Sequence, residues 1–356
     1  MIEQICDIAA DLIKFPSTNG RPRSRKACAE YIEKFFKERG VECTIWEPGD
    51  VRSLVVDLSR GAGPMLCLNG HYDVVEGKKS DFRPRVKGDY LFGRGSADMK
   101  ASLAAMMVLI TELAKDPKPP PVALMIVGDE EVGGERGSLH ILNSGFKSGF
   151  AVVGEPTGLS IANQAKGLLG VELIIHGKSA HSARPWEGDN PVFTFFSQFQ
   201  QVWEIFGTPE PCAWQTTMTP TVVSAGEAPN MIADRLSCML DIRWVPRDDP
   251  GDILDKIKKA APECEVKEDH RGVAFYTDPE EPGLVRLRET ATGVINRDPG
   301  LIRKHAASDG RHFTSMGIPT AVFGPAGGNV HGDGEYVDLR QVAQFYKVLE
   351  KFCRET

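Results

Sequence analysis

The stretch PVALMIVGDEE, residues 121–131, decides the fold class. Its first seven residues form an uninterrupted apolar run, which is typical of a strand buried on both faces. A glycine and three carboxylates follow at once. Residues 151–153, AVV, repeat the pattern and end at Gly154-Glu155. Buried strands of this kind lie in parallel sheets covered by helices, so the stretch predicts an α/β fold.

The segments around this stretch predict one α/β domain with an inserted module. Up to residue 166 the predicted order is helix, strand, strand, helix, strand, helix, strand, which favours a mostly parallel central sheet flanked by helices. Residues 168–176 and 235–245 instead alternate between apolar and polar, as half-exposed antiparallel strands do. We therefore predict a discontinuous α/β domain of residues 1–166 and 272–356, the domain that carries the candidate functional residues discussed below. An inserted α+β domain with an antiparallel sheet covers residues 167–271.

Composition and charge argue against several classes of protein. The chain has 356 residues, of which 41% are apolar and 26% charged, as in ordinary globular proteins. Its net charge of -7 argues against a nucleic-acid partner. The N-terminal segment carries Glu3 and Asp7 at helical spacing among apolar residues, so it predicts neither a signal peptide nor a membrane span. The eight cysteines form no CxxC pair, which favours reduced thiols and a cytoplasmic location.

Side chains that can bind a metal follow most of the predicted core strands. They are His71, Asp98, Glu130, Glu131, Glu155 and His331. Singly, each has an ordinary interpretation as a surface histidine, a helix N-cap, a solvated strand-end carboxylate or part of a flexible loop. The adjacent carboxylates of residues 129–131 repel one another, however, and a divalent cation would compensate them. Ligands also bind at the carboxyl ends of parallel strands. Nitrogen and oxygen ligands without cysteine suit zinc, cobalt or manganese.

The tripeptide His71-Tyr72-Asp73 gives the first histidine a partner. Residues two apart on an extended chain point the same way, so Asp73 can accept a hydrogen bond from the second ring nitrogen of His71. Such a bond fixes the tautomer of a metal-bound histidine and raises its basicity. Alone, the pattern is more typical of a surface histidine near an aspartate.

The glycine-rich segments suggest a competing hypothesis, a nucleotide-dependent enzyme. Gly93 and Gly95 do not continue as GxGxxG, because position 98 is Asp98, which would repel a phosphate. GKS at residues 177–179 lacks the earlier glycine of a phosphate loop, since position 172 is Glu172. Neither segment therefore supports nucleotide binding.

Taken together, the motifs resemble one known family. HYD (71–73), GRGSADMK (93–100), DEE (129–131), GEPT (154–157) and a late glycine-flanked histidine occur in the order of the co-catalytic zinc peptidases. That family includes succinyl-diaminopimelate desuccinylase, acetylornithine deacetylase, aminoacylase and carboxypeptidase G. The resemblance implies hydrolysis of an amide bond by a metal-binding catalytic domain. It also implies that the inserted domain is a lid or a dimerisation domain.

The resemblance implies two zinc ions per chain, for which Co²⁺ or Mn²⁺ would also be suitable. Asp98 would bridge the two ions. His71 and Glu155 would complete one site, and Glu131 and His331 would complete the other. The ions would be co-catalytic, as in the family.

Further residues receive roles from the same resemblance. Glu130 would be the general base, and Asp73 would orient His71. His181, in GKSAHSARP, would stabilise the oxyanion, and in known dimers the corresponding histidine comes from the partner subunit. Three residues match positions that contact the substrate, including its carboxylate: Asn230, Arg243 and Arg311.

Three hypotheses about function remain open. The first is a deacylase or desuccinylase of a small N-acyl amino acid with a carboxylate, which forms a homodimer through the inserted domain. The second is a di- or tripeptidase or carboxypeptidase of the same family. The third is a non-catalytic metal- or amino-acid-binding protein on the same scaffold. The loop from Val74 to Ser80 departs from the family pattern, whereas residues 308–313, SDGRHF, resemble the desuccinylase branch.

Overall fold

The computed structural model describes all 356 residues. The chain forms nine α-helices and seventeen strands. The helices are α1 (Ile2–Ile13), α2 (Pro22–Lys37), α3 (Ala101–Leu113), α4 (Ser138–Asn143), α5 (Pro191–Phe206), α6 (Pro250–Ala260), α7 (Pro282–Ile295), α8 (Gly310–Ser315) and α9 (Leu339–Arg354). The strands are β1 (Thr44–Trp46), β2 (Ser53–Asp57), β3 (Leu66–His71), β4 (Arg85–Lys87), β5 (Tyr90–Phe92), β6 (Val122–Val127), β7 (Phe150–Val153), β8 (Ile161–Ala165), β9 (Gly167–His176), β10 (Thr217–Ala225), β11 (Arg235–Trp244), β12 (Glu265–Gly272), β13 (Phe275–Tyr276), β14 (Leu301–Lys304), β15 (Thr320–Val322), β16 (Gly327–Gly328) and β17 (Tyr336–Asp338). Short helical turns lie at Ser96–Lys100, Glu130–Val132 and Pro185–Glu187.

A nine-stranded sheet has the order β1-β2-β6-β3-β7-β15-β8-β13, with β14 beside β8. The four strands β6, β3, β7 and β15 pair in parallel. Strands β1 and β2 pair antiparallel with their neighbours, and β8 pairs antiparallel with β15. Every residue of β3 and β6 is buried, as expected for strands covered on both faces. The predicted α/β class is confirmed, although the sheet is mixed and parallel only at its centre.

Helix α3 is buried almost all round and packs against α1 and α9 on the sheet. Twelve of its thirteen residues are buried, which explains why its sequence is apolar on every face rather than on one stripe. Helix α2 begins at Pro22 after Arg21, and proline suits the first helical turn.

The contacts within the chain divide it into two units. The first contains residues 1–163, 276–302 and 308–356, and the second contains residues 164–275 and 303–307. The sequence-based boundaries of 167 and 271 differ from these by a few residues. They also leave out residues 303–307, which belong to the second unit. No helix is long and apolar enough to cross a membrane. All eight cysteines are unpaired.

The second unit is built on an antiparallel sheet with the order β10-β11-β9-β12. Burial alternates along β11, where Leu236, Cys238, Leu240 and Ile242 are buried between exposed or half-exposed neighbours. Helices α5 and α6 pack on the apolar side. This is the one-sided sheet that the alternating sequence pattern predicts.

A fully buried lysine connects the start of α3 to the end of α1. The Nζ of Lys100 donates hydrogen bonds of 2.9 Å to the carbonyls of Leu12 and Phe15 and to the hydroxyl of Ser17. Burial lowers the pKa of Lys100 from its usual value. Ser17 in turn donates to the carbonyl of Tyr72 at 2.6 Å. One ammonium group thus joins the start of α3 to the segment at the end of α1.

We expect Lys100→Met to lower the free energy of unfolding by about 3 kcal/mol, because the buried acceptors lose this donor. Urea unfolding in the presence of a chelator measures the effect independently of any metal. Lys115→Met is the matched control, since Lys115 is an exposed lysine just after the same helix. Equal unfolding free energies for the two variants would contradict the role of Lys100.

Candidate metal centre

The carboxyl ends of three neighbouring parallel strands bring acidic and histidine side chains together. His71 is the last residue of β3, which lies between β6 and β7. Glu130 and Glu131 begin the short helix that follows β6, and Glu155 comes two residues after β7. Because the strands are parallel, all of these side chains leave the sheet at one edge, the usual position of a ligand crevice.

Six side chains form two groups that could each hold a metal ion. His71, Glu130 and Glu155 make up the first group, which we call site 1. Asp98, Glu131 and His331 make up the second, which we call site 2. Within each group the ligand atoms lie within 4.8 Å of one another.

Asp98 belongs to site 2 and also contacts the histidine of site 1. Its Oδ1 is 3.1 Å from Nε2 of His71, and its Oδ2 is 3.5 Å from Nε2 of His331. The same Nε2 of His331 is 3.2 Å from Oε2 of Glu131. Each oxygen of Asp98 therefore faces the histidine of a different group, which is the arrangement that a bridging carboxylate requires.

The electrostatics of the two groups favour positive charge. Hydrogen bonds with Asp98 and then Glu131 raise the pKa of His331 to about 10. Burial, followed by the neighbouring charge of Glu155, raises the pKa of Glu130 well above its usual value. A cation would replace the protons that these shifts favour. The donor set of imidazole nitrogens and carboxylate oxygens fits a divalent ion of the zinc, cobalt or manganese type.

Asp73 contacts His71 differently from the sequence-based prediction. The Nδ1 of His71 is 3.0 Å from the main-chain carbonyl of Asp73 and 3.5 Å from its carboxylate, so the carbonyl is the closer acceptor. The carboxylate oxygens instead accept hydrogen bonds from the main-chain N–H groups of Glu130 at 3.2 Å and Glu131 at 3.0 Å. Asp73 therefore contacts both β3 and the loop after β6.

Arg311 is the one residue of the predicted substrate set that lies in the first unit. It is almost fully buried in α8, and its Nη2 donates to the carbonyl of Gly133 at 2.8 Å. Gly133 ends the short helix that carries Glu130 and Glu131. Arg311 thus supports the loop of the acidic residues.

The other predicted residues lie in the second unit. His181 is exposed and pairs with Met231 in an isolated bridge, and the carbonyl of Asn230 accepts from the N–H of Ser182 at 3.0 Å. The structure therefore places His181 and Asn230 side by side. The guanidinium of Arg243 is already engaged, since its Nε and Nη2 donate to both carboxylate oxygens of Asp241 at 2.7 and 2.9 Å.

Sequence reasoning missed a buried ion pair beside Asp98. Glu335 and Arg94 are 2% and 4% exposed, and Oε2 of Glu335 accepts from Nη1 of Arg94 at 2.8 Å. It also missed Asp309, a buried carboxylate that accepts from the hydroxyl of Ser138 at 2.6 Å. The available signals were the charged residues inside glycine-rich motifs, Arg94 in GRG and Glu335 shortly after His331.

Comparisons with known proteins agree with this geometry. Residues 67–355 match the model of Peptidase family M20/M25/M40. The chain is 32% identical over 333 residues to a succinyl-diaminopimelate desuccinylase of Gluconacetobacter diazotrophicus, covering 86% of this chain and 84% of the relative. It is 28% identical over 371 residues to a protein of the same name from Wolinella succinogenes, covering 98% and 99%.

Solved structures show the same fold at lower identity. An aminopeptidase PepT from Bacillus cereus superposes with a TM-score of 0.81 at 19% identity, covering 100% of this chain and 98% of that one. A tripeptidase from Staphylococcus aureus superposes with a TM-score of 0.83 at 18% identity and the same coverage. The resemblance stated from the motifs is thereby confirmed: the chain belongs to Peptidase family M20/M25/M40 and is a hydrolase of amide or peptide bonds.

Proposed function

We propose that this protein hydrolyses the amide bond of a small N-acyl amino acid, in the manner of a desuccinylase, with two zinc ions as cofactors. The observation that carries the proposal is the position of Asp98, whose two carboxylate oxygens face the histidines of two separate ligand groups. The names of the relatives at about 30% identity favour an N-succinyl substrate.

The two ions would be held by side chains of both groups. His71 and Glu155 would bind the first ion, Glu131 and His331 the second, and Asp98 would be shared between them. When bound, the ions supply Lewis acidity, which polarises the scissile carbonyl and lowers the pKa of water. Co²⁺ or Mn²⁺ would also suit the same nitrogen and oxygen ligands.

Glu130 is the proposed general base. A carboxylate oxygen of Glu130 lies within 4.8 Å of the potential ligand atoms of His71 and Glu155, close to where the first ion would bind. Its main chain is fixed by Asp73 at the N–H and by Gly133, whose N–H donates to the Glu130 carbonyl at 2.9 Å. Glu130 would take a proton from the attacking water and deliver it to the leaving amine nitrogen.

His181 is the proposed donor to the oxyanion. Its Nδ1 accepts from the N–H of Ala183 at 3.1 Å, so in the neutral ring Nε2 carries the proton and can donate it in a hydrogen bond. A preorganised donor of this kind stabilises the charge that develops on the carbonyl oxygen.

The substrate is proposed to carry a carboxylate. Arg311, Arg243 and Asn230 are the side chains assigned to its recognition, since a guanidinium matches the geometry of a carboxylate. At Arg243 the substrate carboxylate would have to compete with the carboxylate of Asp241, which already accepts two hydrogen bonds from the guanidinium. Arg311 keeps one nitrogen on Gly133, which fixes its orientation.

A homodimer through the second unit is the proposed assembly. Phe193 and Phe196 of α5 are 74% and 66% exposed, and Val222 and Val223 of β10 are 61% and 55% exposed. Strand β10 is also an edge strand, with unpaired main-chain groups on its outer side. Exposed apolar side chains next to a free edge are typical of a protein interface. No nucleic-acid or membrane partner is proposed.

The first test is amine release from a panel of N-succinyl, N-acetyl and N-formyl amino acids and simple dipeptides. We expect hydrolysis of N-succinyl amino acids that is lost on chelation and restored by Zn²⁺ or Co²⁺. Hydrolysis of dipeptides alone would favour a di- or tripeptidase. No hydrolysis by protein that contains two ions per chain would favour a non-catalytic metal- or amino-acid-binding protein.

We expect Glu130→Gln to lower kcat by roughly 10²–10⁴-fold or more, the usual contribution of a general base. The variant should retain two metal ions per chain, as measured by elemental analysis. Glu135→Gln, an exposed glutamate on the same loop, should behave as the wild type in both measurements. Loss of an ion from Glu130→Gln would show that Glu130 is a ligand.

We expect Phe193→Glu to convert a wild-type dimer into a monomer, because a buried carboxylate without a partner is costly at an interface. Sedimentation velocity measures the change. Val273→Glu is the control, since Val273 is a 42% exposed valine of the same unit outside α5 and β10. A wild-type monomer, or dissociation by both variants alike, would refute this interface.

A further inference from the structure

The two ligand groups are held in place by different parts of the fold. His71 is within the ladder of β3, paired with Val127, and Glu130 and Glu155 follow buried strands closely. Site 1 is therefore fixed by the central sheet. Asp98 and His331 of site 2 lie outside that sheet, so their positions need another support.

The backbone at both of these residues departs from regular structure. Asp98 has φ -122° and ψ 94°, which are not helical, inside the turn before α3. His331 has a φ of +63°, in the left-handed region, and its side chain is 49% exposed. A non-glycine residue in the left-handed region is disfavoured unless its surroundings hold it there.

Glu335 holds the segment that carries Asp98. Its Oε1 accepts from the N–H groups of Ala97 at 3.0 Å and Asp98 at 3.2 Å. Its Oε2 accepts from the N–H of Gly95 at 3.0 Å and from Nη1 of Arg94 at 2.8 Å. Four donors therefore converge on one buried carboxylate, which is a strong and directional anchor in a low-dielectric environment.

Arg94 extends this anchor to the other ligand. Its Nη2 donates to the main-chain carbonyl of His331 at 3.2 Å, while its Nη1 donates to Glu335. One buried ion pair thus contacts the main chain of both Asp98 and His331, two of the three members of site 2. Site 1 shares only the bridging Asp98.

We propose that Glu335, together with Arg94, is a positioning residue for the metal ion of site 2, and that it affects the affinity of this ion more strongly than that of the ion of site 1, which shares only Asp98. The inference rests on the proposed binding of two ions. Neither residue touches the ion, so both act through the main chain of its ligands. Partners of this kind, one step removed from a metal, commonly change its affinity by roughly 10–100-fold.

The chemistry of Glu335 suggests a nearly isosteric substitution as a test. Both of its oxygens face donors only, whereas a glutamine has one acceptor oxygen and one NH₂ group that can only donate. Glu335→Gln would therefore leave one pair of N–H donors opposite a donor without changing the shape of the side chain. Arg94→Lys keeps the charge but removes the fork that contacts Glu335 and His331 together.

Calorimetric titration of Zn²⁺ into metal-stripped full-length protein is the experiment. We expect wild-type protein to bind two ions. Glu335→Gln should weaken binding of the ion of site 2 by roughly 10–100-fold, because two of its ligands lose support, and should weaken binding of the ion of site 1 by a smaller factor, because only Asp98 is shared. Glu33→Gln is the matched control, since it makes the same substitution at a glutamate whose partner is Arg52 at 2.7 Å and which contacts no ligand. Both ions should bind this control as they bind the wild type.

Several outcomes would overturn the inference. Equal weakening of both ions, or unchanged affinity for both, in Glu335→Gln would refute a separate role at site 2. If Glu335→Gln does not fold, Arg94→Lys decides: greater weakening of one ion than of the other supports the inference, and equal weakening of both or wild-type affinities for both refute it. Wild-type protein that binds fewer than two ions would instead refute the proposed two-ion centre itself.

Discussion

Repulsion among carboxylates at one edge of the central sheet is the constraint on which the rest of the structure depends. Asp98, Glu130, Glu131 and Glu155 converge with only two histidines. Like charges this close disfavour the ionised state, and burial adds to that effect. Main-chain N–H groups and buried cations of the surrounding chain stabilise the negative charge of these carboxylates. The arrangement is that of a centre that could hold divalent ions.

Three buried charged side chains hold the segments that carry the acidic residues at this edge. Asp73 accepts from the N–H groups of the two adjacent glutamates after β6. Lys100 holds the end of α1 next to the start of α3. Glu335 accepts four hydrogen bonds around Asp98. Each of these buried charged groups is stabilised by at least two hydrogen bonds, which offset part of the cost of burying a charge.

Proteins that share this fold are named for different substrates. The solved structures named as an aminopeptidase and a tripeptidase share the fold at under 20% identity, whereas the sequence relatives are named as desuccinylases. One scaffold carries several substrate classes, so substrate identity depends on side chains outside the ligand set. In the proposed recognition of a carboxylate, Arg243 would have to exchange Asp241, the present partner of its guanidinium, for the substrate.

The sequence by itself determined the α/β class, the inserted antiparallel module and the side chains available at the carboxyl ends of the strands. These features follow from local patterns, since apolar runs and alternation specify how a strand is buried and where it ends. Only the tertiary structure decided that the carbonyl of Asp73 is the closer partner of His71, and that β5 pairs with β17 in a small sheet. It alone placed Glu335 against Asp98, 237 residues away in the chain. The physical reason is that a buried polar group must find a partner wherever the packed chain offers one, and the spacing of residues in the sequence does not specify that partner.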